Sequence, residues 1–166
     1  CDDCAAEGEI GERLGGAERA WLCAEQQADL VEVFKAGRRL ELKREGRVLT
    51  TYRVALGFAP ARHKEREGDG RTPEGAYMID ARNPKSSFHL SLRVSYPDER
   101  DKARAASLGV LPGGDIYIHG QPNGLRKWFV GHPGKDWTTG CVAVTDAEMR
   151  EIWSLVPTGA RVVIHP

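Results

Sequence analysis

Short β-rich segments separated by Gly and Pro constrain the fold of this chain more than any other sequence feature. The 166 residues include 19 Gly and 9 Pro. The runs between these turn residues are rich in β-branched, aliphatic and aromatic side chains, and they are too short for helices. They predict strands at residues 30–34, 40–43, 48–56, 76–79, 88–96, 116–118, 141–144 and 161–165.

Helical segments interrupt these strands. The composition of residues 17–27 favours one short helix, and Pro97 opens a second helical stretch that continues to Leu108. The third helix is the best defined, because Thr145 and Glu148 form a capping box at its start. Its apolar residues recur three and four positions apart, and they predict one buried stripe of Met149, Ile152, Trp153 and Val156.

The chain has no repeat, low-complexity segment or linker that would divide it into several domains. Glu45-Gly46 lies between two predicted strands, so residues 38–56 are expected to form a hairpin. We therefore predict a mainly β (α+β) fold with two or three helices. Residues 1–28 are expected to form a tail with a short helix, and residues 29–166 to form one domain.

Charge and hydropathy exclude some classes of protein. The chain has 24 Lys+Arg and 24 Asp+Glu, which argues against nucleic acid binding, because proteins that bind nucleic acid carry a basic excess. No apolar run approaches the roughly 20 residues that a transmembrane helix needs. No basic segment followed by an apolar one opens the sequence, so a signal peptide is not part of it.

Three of the four cysteines lie near the N-terminus, at Cys1, Cys4 and Cys23. In an oxidising compartment they would allow one disulfide, for which Cys4–Cys23 is the favoured pair. A zinc site is an alternative, but a fourth ligand is missing nearby. Cys1, which Asp2 follows, is also a candidate for a lipid-anchored terminus.

The fourth cysteine has the surroundings expected of a nucleophile. Gly140 allows a tight turn that directs backbone N–H groups and the Cys141 sulfur towards one point. His119 ends a short apolar strand 22 residues earlier, and a loop of that length can return the chain to it. A paired thiol is expected to have a pKa below the free value of about 8.5. The alternative is a buried structural thiol and an unrelated loop histidine.

These segments resemble the signature of the L,D-transpeptidases of the YkuD type. In that family a His-Gly pair, as in Ile118-His119-Gly120, is followed by a Gly-Cys motif such as Thr138-Thr139-Gly140-Cys141. Arg71-Thr72-Pro73-Glu74-Gly75 is similar to the family's Thr-Pro-X-Gly entry to its core sheet. A branch of murein transpeptidase-like proteins, including a periplasmic amidase that releases lipoprotein from peptidoglycan, shares further motifs: 65–70, 88–92, Ser95-Tyr96-Pro97 and Asp136-Trp137.

The resemblance covers residues 29–166 and implies a compact β-rich catalytic fold. It implies Cys141 as nucleophile, His119 as base, and the Gly120 carbonyl as the group that orients the imidazole. The backbone N–H groups of Thr139, Gly140 and Cys141 would form the oxyanion hole. No metal or organic cofactor is required. Two positions depart from many family members, which carry His where Thr139 stands and Arg or Asn where Ala143 stands.

Candidate substrate-binding residues come from the branch motifs and the loop before the nucleophile. They are His89, Tyr96, Asn123, Trp137 and Thr138. For His89 and Tyr96, structural packing is an equal alternative.

The resemblance implies acyl transfer on peptidoglycan stem peptides through a Cys141 thioester, in the periplasm or cell envelope. Hydrolysis by an amidase or L,D-carboxypeptidase is the main alternative, and an envelope lipoprotein is a second candidate partner. A non-catalytic peptidoglycan-binding domain is a further alternative.

Overall fold

The computed structural model describes residues 26–166. The expectations for the N-terminal cysteines and almost all of the 17–27 helix lie outside these residues. The described chain contains eight strands and two α-helices: β1 Leu30–Phe34, β2 Arg39–Arg44, β3 Arg47–Arg53, β4 Gly75–Ser86, β5 His89–Val94, α1 Glu99–Ser107, β6 Tyr117–His119, β7 Val142–Ala143, α2 Asp146–Leu155 and β8 Arg161–His165. The predicted mainly β fold with two or three helices is confirmed.

The strands form one sheet in the order β3-β2-β1-β8-β4-β5-β6-β7. The expected hairpin joins β2 and β3, and β1 pairs in parallel with the final strand, β8. β4 is longer than predicted and connects two halves of the sheet. Its beginning pairs with β8, and its later residues pair with β5.

The sheet curls so that its two ends meet. Ala55, just after β3, exchanges two backbone hydrogen bonds with Ala143 of β7, with N···O distances of 2.8 and 2.9 Å. Residues 54–56 were expected to continue the β3 strand, but they instead cross to β7. This closure satisfies backbone groups at the edge strand and fixes the segment that carries Cys141.

Both helices begin with the side-chain caps that their sequences contain. Thr145 and Glu148 make the predicted capping box of α2, and Asp98 caps α1 together with Asp101. Met149 and Ile152 of α2 are fully buried in the core beneath the sheet. At about 25 cal/mol per Å² of apolar surface, such burial is the main stabilising term for this helix. Within residues 26–166 no helix is long and apolar enough to cross a bilayer.

Candidate active site

Parallel pairing of β6 with β7 brings the candidate nucleophile and base to one edge of the sheet. Ile118 lies opposite Val142 and His119 opposite Ala143, so Cys141 comes level with Tyr117. The Tyr117 N–H donates to the Cys141 sulfur at 3.4 Å. The thiol in turn donates to the carbonyl oxygen of Asp115, also at 3.4 Å.

The turn before Cys141 requires glycine. Gly140 has φ +142°, and a Cβ there would lie 2.7 Å from the carbonyl oxygen of Arg71. Arg71 begins the segment similar to the family's Thr-Pro-X-Gly entry, and the next residue, Thr72, accepts a hydrogen bond from the Gly57 N–H through its hydroxyl at 3.1 Å. This segment therefore forms the wall against which the Gly-Cys turn is packed.

Thr138 stabilises the same turn through its buried hydroxyl. The Oγ1 atom accepts from the Gly140 N–H at 3.2 Å and donates to the Cys141 carbonyl at 2.7 Å. Within residues 26–166, the N–H groups of Thr139 and Cys141 have no hydrogen-bond acceptor. Two of the three N–H groups expected in an oxyanion hole are thus free, and the third is occupied by Thr138.

The imidazole of His119 is 3% exposed and has a defined orientation. Its Nδ1 lies 2.7 Å from the Gly120 carbonyl oxygen. Because a carbonyl can only accept, Nδ1 carries the hydrogen and Nε2 is left as the acceptor. The rings of Phe88 and Trp137 lie beside it, with centroids at 4.5 and 5.7 Å.

Gly120 is required by close approach of its neighbours. A Cβ at this position would lie 2.6 Å from an oxygen of Asp146 and 3.0 Å from the Cβ of His89. The Gly120 carbonyl can therefore accept a hydrogen bond from His119 Nδ1 only because residue 120 has no side chain.

Burial keeps the two reactive groups neutral. It lowers the pKa of His119 to about 4, against the weaker opposing effect of the Gly120 hydrogen bond. It raises the pKa of Cys141 to about 11, and the one N–H from Tyr117 offsets only part of this. The expectation of a thiol pKa below the free value is therefore wrong for this structure, because desolvation of the thiolate exceeds its stabilisation.

Alkylation tests this ionisation state. We expect iodoacetamide to modify Cys141 more slowly at pH 7 than a denatured cysteine, because only the thiolate reacts. The rate should keep rising with pH towards about 11, the pKa of the buried thiol. Site-resolved mass spectrometry across pH 6–10 measures it, with urea-unfolded protein as the reference. A plateau below pH 8 would instead mean a stable thiolate–imidazolium pair.

A cavity of about 540 Å³ opens at this edge of the sheet. Cys141 and His119 both line it, together with the predicted residues Trp137 and Thr138, and also Thr139. The indole N–H of Trp137 is buried without a hydrogen-bond partner. An unpaired buried donor costs free energy, so this group is suited to donate to a bound carbonyl.

The structure does not bring the other predicted substrate residues to the cavity wall. Tyr96 is buried in the core, and its hydroxyl donates to the Pro112 carbonyl at 2.8 Å. Asn123 accepts from the His89 N–H at 3.1 Å and donates to the Ser86 carbonyl at 3.0 Å. Asn123 and His89 thus anchor the loop after β6 to the β4–β5 turn.

Sequence reasoning missed several residues that line the cavity. Asp115 and Tyr117 alternate with His119 and share its face, which the period of two in a strand could have indicated. Ser91 lies opposite His119 on β5, and this register has no sequence signal. Arg126 reaches the cavity from a 3₁₀ turn at Gly124–Trp128 that was predicted only as loop.

Asp136 explains part of the Asp136-Trp137 motif. Its carboxylate accepts from the Arg38 guanidinium at 2.8 Å and from the Leu56 N–H at 3.0 Å. These contacts connect the end of the long loop to the closing segment after β3. Trp137 is thereby held beside His119, so Asp136 acts through the position of its neighbour.

Comparison with known proteins shows the family to which this chain belongs. Residues 28–164 match the family model described as YkuD: L,D-transpeptidase catalytic domain. The chain belongs to this family. A provisionally named L,D-transpeptidase, YafK of Escherichia coli (strain K12), is 25% identical over 142 residues, which cover 82% of this chain and 50% of YafK.

Solved structures place the L,D-transpeptidase domain in the same fold. The helical cell shape determining protein Pgp2 from Campylobacter jejuni has a TM-score of 0.63 and 22% identity, covering 82% of this chain and 47% of Pgp2. An L,D-transpeptidase from Mycobacterium smegmatis has a TM-score of 0.56 and 16% identity, over 84% of this chain and 59% of that chain. The predicted L,D-transpeptidase fold is confirmed. The chain spans about half the length of YafK and of Pgp2.

Proposed function

We propose that residues 29–166 form a cysteine acyltransferase domain that acts on peptidoglycan stem peptides in the cell envelope, on the periplasmic side where that compartment exists. The observation that carries this proposal is the shared cavity of Cys141 and His119, into which a stem peptide could bring its carbonyl. The described cell-shape role of Pgp2 supports a cell-wall substrate for this related domain.

His119 serves as the general base in this proposal. The imidazole is neutral at pH 7 and has a free Nε2, because Nδ1 is held by the Gly120 carbonyl. The thiol proton turns from the Asp115 carbonyl to Nε2 as the sulfur attacks the substrate carbonyl. Coupling proton loss to attack avoids a free thiolate, whose formation the raised pKa of Cys141 makes unfavourable.

The tetrahedral oxyanion is stabilised by the free N–H groups of Thr139 and Cys141. Backbone donors of this kind need no reorganisation during the reaction, because the Gly140 turn holds them in place. His119 then returns its proton to the leaving amine, and a thioester remains on Cys141. The side chains of Trp137 and Thr138 belong to the cavity wall, and the Trp137 indole is the group we assign to substrate binding.

Incubation with a purified disaccharide tetrapeptide tests this function. Intact-protein mass spectrometry after acid quenching should detect the donor, without its terminal residue, attached to Cys141. Chromatography of the muropeptides should show cross-linked products if an amine resolves the thioester, and shortened stems if water does. Absence of both adduct and product from the wild-type domain would overturn the proposal.

A further inference from the structure

The carboxylate of Asp115 has no role in the proposed acylation step. It is the only acidic residue among the described residues that line the cavity. Its carbonyl oxygen lies 3.4 Å from the Cys141 sulfur, while its side chain is exposed. Within residues 26–166 it forms no ion pair, although its charge acts on Tyr117 and on Arg93, which is itself paired with Asp80.

The Cys141 sulfur contacts the backbone of both Asp115 and Tyr117, at 3.4 Å each. Cys141 is level with Tyr117, since Ile118 and His119 pair with the two residues that follow it. Asp115 lies two residues before Tyr117 and His119 two residues after it. Asp115 lies just before β6, so a group bound at its carboxylate would lie near the Cys141 sulfur, in the same cavity as His119.

The charge of Asp115 has a cost in the resting enzyme. It raises the pKa of both Cys141 and Tyr117, in addition to the larger effect of burial. The other charged group that acts on the thiol, Lys64, is paired with Asp69 at 2.8 Å. Asp115 also has φ +54°, a conformation that few residues other than Gly, Asn and Asp adopt. A charge that disfavours ionisation of the nucleophile suggests a role at another stage of the cycle.

We propose that Asp115 docks the ammonium group of the acyl acceptor, so that an amine rather than water resolves the Cys141 thioester. This inference rests on the proposed function. An alkylammonium group with a pKa near 10.4 is charged at neutral pH. A carboxylate attracts this cation, whereas a neutral water molecule has no net charge for it to attract.

The step balances without any further reactant. The docked ammonium first releases one proton to solvent, and the neutral amine attacks the thioester carbonyl. The C–N bond forms and the C–S bond breaks as the tetrahedral intermediate collapses. The second amine proton passes through His119 to the Cys141 sulfur, which regenerates the thiol and leaves a new amide.

The ratio of aminolysis to hydrolysis tests this role. The acceptors are a muropeptide with a free diaminopimelate ammonium and hydroxylamine, which is uncharged at neutral pH. In Asp115→Asn, the ratio for the muropeptide should fall about 10-fold, as expected for loss of a hydrogen bond to a charged group. The ratio for hydroxylamine should not change. Asp115→Gly, which also suits a positive φ, should behave in the same way.

Glu99→Gln is the matched control, because it removes another exposed carboxylate, on α1 and outside the cavity. It should leave both ratios unchanged. If the Asp115 variants form the thioester and keep the wild-type ratio for the muropeptide, the docking role is wrong and the proposed function stands. An equal fall with hydroxylamine would also overturn it, since charge would not be recognised. If the wild type forms no thioester, both proposals fail.

Discussion

Alanine in place of Cys141 is expected to abolish both acyl transfer and hydrolysis, because no thioester can form without the sulfur. The fold should persist. The sulfur makes two contacts of 3.4 Å, while the neighbouring Val142 and Ala143 remain buried and paired. Product analysis by chromatography measures activity, and thermal unfolding followed by circular dichroism should show a loss of only about 1 kcal/mol.

The N-terminal cysteines provide the control for this result. Serine at Cys1, Cys4 or Cys23 should retain activity, because the proposed chemistry uses only the cysteine in the Gly-Cys turn. Turnover at the wild-type rate in Cys141→Ala would contradict the assignment of the nucleophile and, with it, the proposed function.

Removal of the His119 imidazole is expected to lower kcat by about 100-fold or more, as loss of a general base does. No other described side chain offers a neutral imidazole at the cavity wall. His119→Asn is the sharper variant, since its side-chain amide can still donate to the Gly120 carbonyl but cannot act as a base. Steady-state kinetics measure the loss, at a temperature where unfolding measurements show the variant to be folded.

Thr139→Ala is the matched comparison for His119. The Thr139 side chain is exposed, and the proposed contribution of this residue is its backbone N–H, which alanine retains. Its effect on kcat should therefore be far smaller than that of His119→Asn. Equal losses would mean that the Thr139 hydroxyl takes part in the reaction.

The strand pattern and the best helix were predictable because their signals are local. Alternating and β-branched runs favour strands wherever they occur, and the capping box at Thr145 operates within one helical turn. The extent of β4 and the crossing of residues 54–56 to β7 were not predictable. Both depend on pairing with strands that are distant in the sequence. Local propensity contains no information about such pairing.

The candidate substrate residues also divide into those predictable from local sequence and those decided by the fold. Trp137 and Thr138 adjoin Cys141 in sequence, so their presence at the cavity follows from chain connectivity. Tyr96 and Asn123 belong to the motif-rich region and its loop, but their side chains make structural hydrogen bonds instead. A polar side chain can either fix a turn or face a ligand, and the sequence contains no sign of which one applies.

The sequence by itself determined the family, the mainly β fold, and the paired candidates Cys141 and His119, because the motifs around them are contiguous. Only the tertiary structure decided how these groups are ionised and what surrounds them. Burial at the closed edge of the sheet raises the thiol pKa and lowers that of the imidazole. The same fold places the backbone carbonyl of Asp115 3.4 Å from the Cys141 sulfur. Desolvation and the approach of distant strands are properties of the folded chain, and they have no counterpart in the local pattern of residues.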